Sequence, residues 1–549
     1  MKKLLPLLLA LCILLGSFSA ASAEFVNEEW QNVTYATGNI NAVTTDVEGI
    51  TSSKDTLVIA MNSDPGSFDV TYSINYSFLA PLMFNHLLVY RYDENGAIGA
   101  FVDEQSLATG YEVDEDGLGI TFYLREGVKF SNGYDFTAED AAFSLWHARS
   151  QSDLAMMDAD NITVVDDYTL HVGLLRQDAN AVYCIGGIAN MYSKQYYDEC
   201  GGEENDAEFC STLAVGTGPY KLVEWVSGDH VLFERNDDYF AGRPVLDYVN
   251  VRVISDPSVA FMALQNGEID IIPDILTNWI DVSTVVNGMT TGITDYVEFN
   301  TTIAQLGFNC YETSPLKDIA VRKAICYAID RESIAEYVYE GAGRYITSLY
   351  APASEGAKIY DPWPYEYNPE MARQILADAG YEDGDIQLRI IVGTGDTLRT
   401  TAAELMIANL AEVGIELSII NIEVAAVAST ITDDPSAWEI RYNNMSNGNF
   451  LQPNAISFFG TGGTGQIYDH IDGQEGAEYS MQLADQINAT ADPEERAALY
   501  EEFQDYYIEN CMFTLPLVQV VQHTLVNSSL RNFSRTHYLN LDVAFAYFE

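Results

Sequence analysis

Two short patterns in the sequence carry residue types that bind ions. Residues 216–218 (GTG) have the glycine content of a phosphate-binding turn, but Pro219 and an apolar alternating segment follow where a helix N-terminus is required. Residues 114–116 (DED) are acidic, yet they lack the spaced oxygen ligands and the closing Glu of a calcium loop. The sequence contains no H-E-x-x-H, P-loop or G-x-S-x-G motif. We therefore expect a protein that is not an enzyme and that requires no metal or cofactor.

The cysteines suggest one cross-link and argue against a zinc site. Cys200 and Cys210 flank a polar loop and are the candidate pair for a disulfide in an oxidising compartment. Cys326 lies on the apolar face of a predicted helix, which indicates a buried thiol. The sequence has no C-x-x-C pair and its histidines are scattered, so a thiolate zinc site is not expected.

The charge balance excludes several classes of partner. The 549-residue chain has 81 acidic and 26 basic side chains, which give a formal net charge of -55. Such a charge repels the phosphates of nucleic acid and the anionic surface of a membrane. We interpret the acidity as a means of solubility outside the cell, and we expect no nucleic acid among the partners.

The N-terminus has the pattern of an export signal. Two lysines precede an apolar run over residues 4–15, and small residues end in A-S-A at 21–23, an A-x-A cleavage pattern. Cys12 lies inside the apolar run and follows a leucine, whereas lipid attachment requires a small residue there. We predict a signal peptide over residues 1–23, an extended leader over residues 24–54, and a protein exported to the periplasm or the outer face of the membrane.

Apolar patterning predicts an α/β protein. In residues 386–422 apolar residues alternate, then recur at helical spacing up to Gly414, then alternate again. Strand, helix, strand implies a parallel pair with a right-handed crossover. Asn368 followed by Pro369 is typical of a helix start, and residues 120–146 predict a strand, a tight turn and a capped helix. The mature chain of about 525 residues is longer than a single hydrophobic core usually supports, so two or more lobes are expected.

Aromatic residues are the sequence feature that indicates a binding site. The chain has 35 Tyr, 24 Phe and 6 Trp, and most of them must belong to the core. Those in the polar segments TYSINYSF (71–78) and IRYNNMSNGNF (440–450) suit the lining of a cleft. Such a lining offers flat apolar surface together with amide and hydroxyl hydrogen bonds.

Five sequence blocks, taken in order, resemble the family of extracytoplasmic solute-binding proteins of peptide and nickel ABC transporters. The likeness covers nearly all of residues 55–540, and five blocks in register are far more specific than one. The blocks are TLVIAMNSDPGSFD, DGLGITFYLREGVKFSNGYDFTAEDAAFSL, VGTGPYKLVEWVSGDHVLFERNDDYFAGRPVLDYVNVRVISDPSVAFMALQNGEIDI, LGFNCYETSPLKDIAVRKAICYAIDRESIAEYVYEGAG and YNPEMARQILADAGY.

This resemblance implies a two-lobed periplasmic-binding-protein fold of the large type II variant, whose lobes close over a ligand at a hinge. It also implies an ABC transporter permease as the partner, and we expect a monomer. By similarity, the segments are lobe I at 55–303 with an extra subdomain at about 85–215, lobe II at 304–514, a C-terminal return to lobe I at 515–549, and chain crossings near 305–310 and 513–519.

Ligand contacts are also implied by the resemblance. In dipeptide-binding relatives an aromatic residue and an Asp that grips the peptide ammonium precede an Asp-Pro pair; matched on Pro453, this chain has Ser446 and Asn449 there. A buried ammonium without a counter-charge is costly, which favours a longer peptide gripped through its backbone. The Arg that receives the peptide carboxylate would fall near Gly393, and Arg399 would reach the cleft from the next turn. The predicted ligand-binding residues are Tyr72, Asn75, Tyr76, Arg399, Tyr442, Asn443, Asn444, Asn447 and Asn449.

The predicted function is capture of an oligopeptide between two lobes and its delivery to an ABC transporter permease. Two alternatives stay open at this point. An oligosaccharide would pair its hydroxyls with the same Asn residues and stack its rings on Tyr, and another solute such as chelated nickel finds no His cluster in the sequence. A sensory receptor of the same fold is the second alternative.

The export signal yields a direct test. If cleavage follows the A-x-A pattern, mass spectrometry of the mature protein will show an unmodified N-terminal Glu24. A diacylated Cys12 would contradict this expectation and would make the protein membrane-anchored.

Overall fold

The computed structural model of the protein describes most of the chain after residue 33. Of the predicted ligand-binding residues, Tyr72, Asn75, Tyr76, Asn447 and Asn449 lie outside the described residues. The predicted signal peptide lies outside them as well. The described ranges are 34–37, 40–41, 44–65, 67–68, 79–92, 98–151, 154–213, 215–273, 292–339, 343–352, 354–423, 426–445, 460–461, 463–490, 492–536 and 540–549.

Strands and helices mix along the whole described chain. The strands are β1 (Thr34–Thr37), β2 (Ile40–Asn41), β3 (Thr56–Met61), β4 (Val89–Tyr92), β5 (Ile98–Phe101), β6 (Ala108–Val113), β7 (Gly119–Leu124), β8 (Met157–Asp166), β9 (Thr169–Leu174), β10 (Tyr220–Val226), β11 (His230–Arg235), β12 (Tyr248–Val253), β13 (Ile271–Ile272), β14 (Ile293–Phe308), β15 (Gly343–Tyr345), β16 (Ile386–Gly393), β17 (Ile415–Ile422), β18 (Ile440–Met445), β19 (Thr514–Asn527), β20 (Leu530–Arg531), β21 (Ser534–Thr536), β22 (Asn540–Asp542) and β23 (Tyr547–Phe548). The α-helices are α1 (Ala80–Met83), α2 (Ala138–His147), α3 (Ala181–Gly187), α4 (Lys194–Glu199), α5 (Asp206–Glu208), α6 (Pro257–Gln265), α7 (Ile319–Ala328), α8 (Arg331–Tyr337), α9 (Pro369–Asp378), α10 (Thr397–Glu412), α11 (Val427–Asp433), α12 (Thr464–Asp469), α13 (Ala477–Ala489) and α14 (Pro493–Asn510).

One large mixed sheet organises the molecule. Its strand order is β10-β11-β12-β3-β13-β19-β14-β18-β16-β17, with β1 added beside β14 and β15 beside β19. The long strands β14 and β19 lie in the middle and pair antiparallel from Ile293↔Asn527 to Gly307↔Thr514. The pairing shifts register between Phe299 and Ile303. The chain therefore passes twice between the strands β3 and β10–β13 on one side and β16–β18 on the other.

The strand-helix-strand unit predicted at 386–422 is confirmed. β16 and β17 pair in parallel from Ile386↔Ile415 to Gly393↔Ile422, and α10 connects them. Gly414 lies at the turn into β17 with φ +81°, a backbone conformation that favours glycine. Upstream, the Asn368 side chain accepts a hydrogen bond from the Met371 N–H and Pro369 begins α9, as the sequence predicts.

The block at residues 120–146 forms the predicted strand, turn and helix. β7 belongs to a four-stranded antiparallel sheet, β6-β7-β9-β8, and Thr137 and Asp140 form a capping box at the start of α2. Ile120 and Phe122 of β7 are fully buried in a core of their own. This sheet lies within residues 85–215, the segment for which the sequence predicts an extra subdomain; the subdomain and lobe limits stay predictions.

The predicted disulfide between Cys200 and Cys210 is not formed, and both residues carry thiols. The polar loop between them folds into helical turns, Gly202–Asn205 and α5. Cys210 then contacts the His147 ring, while the hydroxyl of Tyr196 is a hydrogen-bond partner of Cys200. The composition of the loop does not reveal these helical turns, which direct the two sulfur atoms to different partners. Cys326 is a buried thiol, as predicted, and burial raises its pKa to about 12.

A fully buried ion pair joins β18 to α12. Arg441 donates two hydrogen bonds to the Asp469 carboxylate, at 2.6 and 2.8 Å, and the two side chains are 7% and 0% exposed. Gly307 of β14 lies opposite Arg441, and a Cβ atom there would lie 2.6 Å from the Arg441 Nε. The absence of a side chain at Gly307 thus gives the guanidinium its space. Within the described residues, none of the helices has the length and apolarity needed to cross a membrane.

The Arg441–Asp469 pair leads to a stability prediction. Asp469→Ala leaves a buried guanidinium without its counter-charge, so the free energy of unfolding in urea is expected to fall by about 3–5 kcal/mol. The matched control is Asp135→Ala, which removes the partner of Lys129 from an exposed pair and is expected to change the free energy by less than about 1 kcal/mol. Equal effects of the two substitutions would contradict the structural role of the buried pair.

Candidate ligand-binding site

A polar group of side chains lies where β14 and β19 pass between the two halves of the sheet. Gln305 of β14 is directly opposite Asn443 of β18, and Gln519 of β19 is opposite both Ile303 and Arg344. Because opposite residues, and residues two apart on one strand, share a face, these side chains lie on one face of the sheet. We call Gln305, Asn443, Gln519 and Arg344 the crossing cluster.

Amide groups of the crossing cluster have unused hydrogen-bonding capacity. Gln305 is 1% exposed, and neither its Oε1 nor its Nε2 has a hydrogen-bond partner among the residues that the structure describes. Asn443 donates to the Asn444 carbonyl at 3.2 Å, but its Oδ1 is buried without a partner. A buried polar group left without a partner costs about 1–3 kcal/mol. Three such atoms on adjacent strands therefore mark a place where a bound molecule gains hydrogen bonds.

Arg344 adds a positive charge to the crossing cluster. Its guanidinium donates to the Gln519 Oε1 at 2.5 Å, and Gln519 is fully buried. Burial lowers the pKa of Arg344 from its ordinary value, which for a guanidinium still leaves the group charged at neutral pH. Sequence reasoning missed Gln305, Gln519 and Arg344. The available signal was a glutamine inside each of two otherwise apolar strands, IAQLGF and LPLVQVV.

The opposite face of β18 carries a second arrangement, which contains two predicted residues. The hydroxyls of Tyr442 and Tyr339 are 2.9 Å apart, and the Arg399 guanidinium carbon lies 5.5 Å from the centre of the Tyr442 ring. Burial raises the pKa of Tyr339 to about 12, so its hydroxyl stays neutral at physiological pH. A cation over a tyrosine ring is attracted by the ring face. The structure thus brings Arg399 and Tyr442 into contact.

Arg399 already has an acidic partner. Asp396 caps the start of α10: one of its carboxylate oxygens accepts from the Arg399 N–H at 2.9 Å, and the other accepts from the Arg399 Nη1 at 2.7 Å. The Arg399 Nε is buried without a hydrogen-bond partner. A ligand carboxylate would therefore share Arg399 with Asp396.

The remaining predicted residues divide by position. Asn443 and Tyr442 are neighbours on one strand, so their side chains lie on opposite faces of the sheet. Asn444 shares the Tyr442 face and is exposed. The predicted binding roles of Arg399, Tyr442, Asn443 and Asn444 stay predictions, as do those of the five predicted residues outside the described ranges.

The unused capacity of Gln305 leads to a prediction with an opposite-sign control. Gln305→Leu replaces an amide that has no partners by an apolar side chain of similar size, so the ligand-free protein is expected to be more stable by about 1–2 kcal/mol. Gln504 is equally buried, but its amide donates to the carbonyls of Gly356 and Tyr500 and accepts from the Lys358 N–H.

Gln504→Leu should therefore lower the free energy of unfolding in urea by about 1–3 kcal/mol, because it leaves those backbone groups without a partner. If Gln305→Leu lowered the free energy of unfolding, the Gln305 amide would already make hydrogen bonds in the ligand-free protein and would not be available to a ligand.

Known proteins of similar sequence share the overall length of this chain. The chain is 27% identical over 500 residues to "Heme-binding protein A" of Haemophilus influenzae, covering 84% of this chain and 87% of that protein. It is 25% identical over 485 residues to the "Dipeptide-binding protein" of Escherichia coli, covering 82% and 86%.

Solved structures of the same fold cover nearly the whole chain. The oligopeptide-binding protein AppA from Bacillus subtilis, in complex with a nonapeptide, superposes with a TM-score of 0.71 at 21% identity and covers 91% of this chain and 100% of its own. NikA from Brucella suis, in complex with Fe(III)-EDTA, gives a TM-score of 0.75 at 22% identity and covers 90% and 100%. The α/β, two-lobed periplasmic-binding-protein fold of the large type II variant is confirmed.

The family is settled by a match over the middle of the chain. The model of the bacterial extracellular solute-binding proteins, family 5, matches residues 104–464, which include α2, β14 and β16–β18. The five resembling sequence blocks overlap or flank this range. The chain therefore belongs to the bacterial extracellular solute-binding proteins of family 5.

Proposed function

We propose that the protein captures an oligopeptide between its two lobes and delivers it to the permease of an ABC transporter. The observation that carries this proposal is the set of unused amide atoms on Gln305 of the central strand β14 and on Asn443 of the adjacent strand β18. A peptide backbone presents carbonyl acceptors and N–H donors in turn. Side-chain amides offer both partners without requiring a charge on the ligand.

The charges near β14 and β19 favour a peptide that is bound through its main chain and has its terminal carboxylate near an arginine. Arg344 and Arg399 supply cations on the two faces of the sheet, and Arg399 is partly neutralised by Asp396. By the resemblance to dipeptide-binding relatives, matched on Pro453, Asn449 stands where those relatives carry an ammonium-binding Asp. A ligand whose ammonium is not buried against a carboxylate fits this distribution, and a longer peptide can leave its N-terminus in water.

The names of relatives include peptide-binding proteins, but they also include another class of ligand. The Escherichia coli relative is a dipeptide-binding protein and the Bacillus subtilis structure contains a nonapeptide, whereas the Haemophilus influenzae relative is named for heme. Amide groups pair with peptide bonds more completely than with a porphyrin, whose surface is mostly apolar. The amide cluster therefore favours the peptide.

In the proposed role the protein is exported, and it binds and releases its ligand without a chemical reaction. The A-x-A pattern supports removal of residues 1–23 and action outside the cytoplasm. The ligand is bound by hydrogen bonds and lobe closure, with no bond made or broken, and it shifts the lobes toward the closed arrangement because it binds that arrangement better. The permease then recognises the closed form.

Isothermal titration calorimetry tests the ligand class. We expect heat with nonapeptides, and N-acetylation of the peptide should change the dissociation constant by less than about tenfold, because no buried charge pair is lost. Gln305→Leu should weaken binding by about 10- to 100-fold through loss of two hydrogen bonds. Gln374→Leu, the same substitution on the exposed face of α9, is the control and should leave the affinity unchanged.

The other outcomes separate the alternatives. Heat with oligosaccharides and none with peptides would replace the ligand class while keeping the binding role. Heat from neither class would overturn the proposal. Peptide uptake by cells that is unaffected by deletion of this chain would favour a sensory receptor over a transport component.

A further inference from the structure

Three potential metal ligands converge away from the crossing cluster. His147 is the last residue of α2, Asp206 is the first residue of α5, and Cys210 lies in the π-helical turn Phe209–Leu213. The His147 Nε2 lies 2.8 Å from the Asp206 Oδ1 and 3.9 Å from the Cys210 Sγ. All three donor atoms lie within 4.8 Å of one another.

The arrangement does not fit a nucleophile that is activated by a histidine. In such a relay the thiol uses one ring nitrogen and the carboxylate orients the other. Here the thiol and the carboxylate both contact the same nitrogen, Nε2. Donors of three chemical types that surround one point are instead typical of a metal site.

The donor separations bracket those around a tetrahedral ion of zinc size, so small side-chain shifts would complete the coordination. Zn²⁺ with bonds of about 2.0 Å to nitrogen and oxygen and about 2.3 Å to sulfur places these donor atoms about 3.3–3.6 Å apart. The observed separations of 2.8 and 3.9 Å lie on either side of that range. Mixed thiolate, imidazole and carboxylate donors suit a borderline-soft cation better than magnesium or calcium. We propose that His147, Asp206 and Cys210 bind one divalent cation of the zinc class.

The surroundings support ordered ligands and an open fourth position. Tyr197 donates to the Asp206 Oδ1 at 2.9 Å and so orients the carboxylate, as a second layer of hydrogen bonds does in metal sites. The rings of Phe143, Tyr192 and Tyr197 pack around His147, whose side chain is 8% exposed. The Asp206 side chain is 22% exposed, which leaves a route for the ion and a place for a water ligand.

The His147 Nδ1 has no hydrogen-bond partner in the structure. Metal binding at Nε2 requires the proton to sit on Nδ1, and this proton then has no acceptor. Without metal, an Nε2–H that donates to Asp206 leaves the Nδ1 lone pair equally unused. The free-energy cost of leaving Nδ1 without a hydrogen bond is therefore similar in the metal-free and metal-bound protein. This nitrogen does not oppose metal binding. On binding, the Cys210 thiol loses its proton to solvent and the thiolate bonds the metal.

The ion would tie together segments that are distant in sequence. His147 is 59 residues from Asp206 and 63 residues from Cys210. The Cys210 carbonyl also accepts from the Phe68 N–H at 3.3 Å and the Ser67 hydroxyl at 3.4 Å. A cation at this point therefore braces α2, the 206–213 segment and the chain beyond β3. Because the three donors meet only in the folded protein, binding stabilises that state.

Titration of the purified mature protein with Co²⁺ tests the site directly, since a cobalt–thiolate bond gives a charge-transfer absorption band. We expect this band to saturate at one equivalent, to disappear in Cys210→Ser and to persist in Cys200→Ser. Because the band requires the Cys210 thiolate, it distinguishes binding at this site from binding of Co²⁺ to surface carboxylates. A wild-type protein without the band, or a band retained in Cys210→Ser, would overturn the proposal whatever the stability of the variants.

A thermal shift provides the second measurement. Zn²⁺ at about a hundredfold excess over its dissociation constant is expected to raise the Tm by about 2–3 °C. His147→Gln should abolish the shift. His171→Gln is the matched control, because His171 also pairs with one aspartate, Asp114, at 3.1 Å, and it should keep the shift. Loss of the shift in both variants, or in neither, would contradict a site built on His147.

Discussion

The antiparallel pairing of β14 with β19 is the constraint on which the rest of the structure depends. The two strands pair from Ile293↔Asn527 to Gly307↔Thr514, so one antiparallel pair carries the chain from one half of the large sheet to the other and back. The ladder is interrupted between Phe299 and Ile303, and an interrupted ladder has fewer hydrogen bonds to distort. A second register shift follows between Ala304 and Gln305, so the pairing is irregular over the part of β14 that carries Gln305.

The same ladder brings polar groups to the place where the lobes meet. Gln305 and Gln519 occupy strand positions that apolar residues fill elsewhere in the core, and Gln305 has no hydrogen-bond partner within the described part of the chain. Such a group lowers the stability of the ligand-free fold. A binding protein gains from this arrangement because the ligand recovers what the empty protein lacks. Arg441 and Asp469, by contrast, already hydrogen-bond to each other through two N–H groups and both carboxylate oxygens.

Local patterns in the sequence were sufficient for the elements but not for the contacts between them. The unit β16–α10–β17 and the Asn368 cap depend on residues a few positions apart, so alternation and helix-start signals identify them. Gln305 and Gln519 belong to strands far apart in the chain, and only the pairing of β14 with β19 places them together. The Cys200–Cys210 prediction failed for a related reason: spacing in a polar loop does not reveal the helical turns that direct the two thiols to different partners. His147, Asp206 and Cys210 show no ligand motif in sequence because 59 residues separate the first two.

The large negative charge of the chain and the positive groups at the crossing strands act over different distances. A formal net charge of -55 is spread over the surface, and at physiological ionic strength its field decays over about 8 Å. Arg344 is half-buried and Arg399 is packed over the Tyr442 ring, so both are screened less than fully exposed surface acids. Because the two guanidinium groups lie on opposite faces of the sheet, each acts mainly on charges close to it on its own face, while the surface acids govern solubility. At low ionic strength the surface field reaches farther, and it then opposes the approach of acidic ligands before the local cations can act.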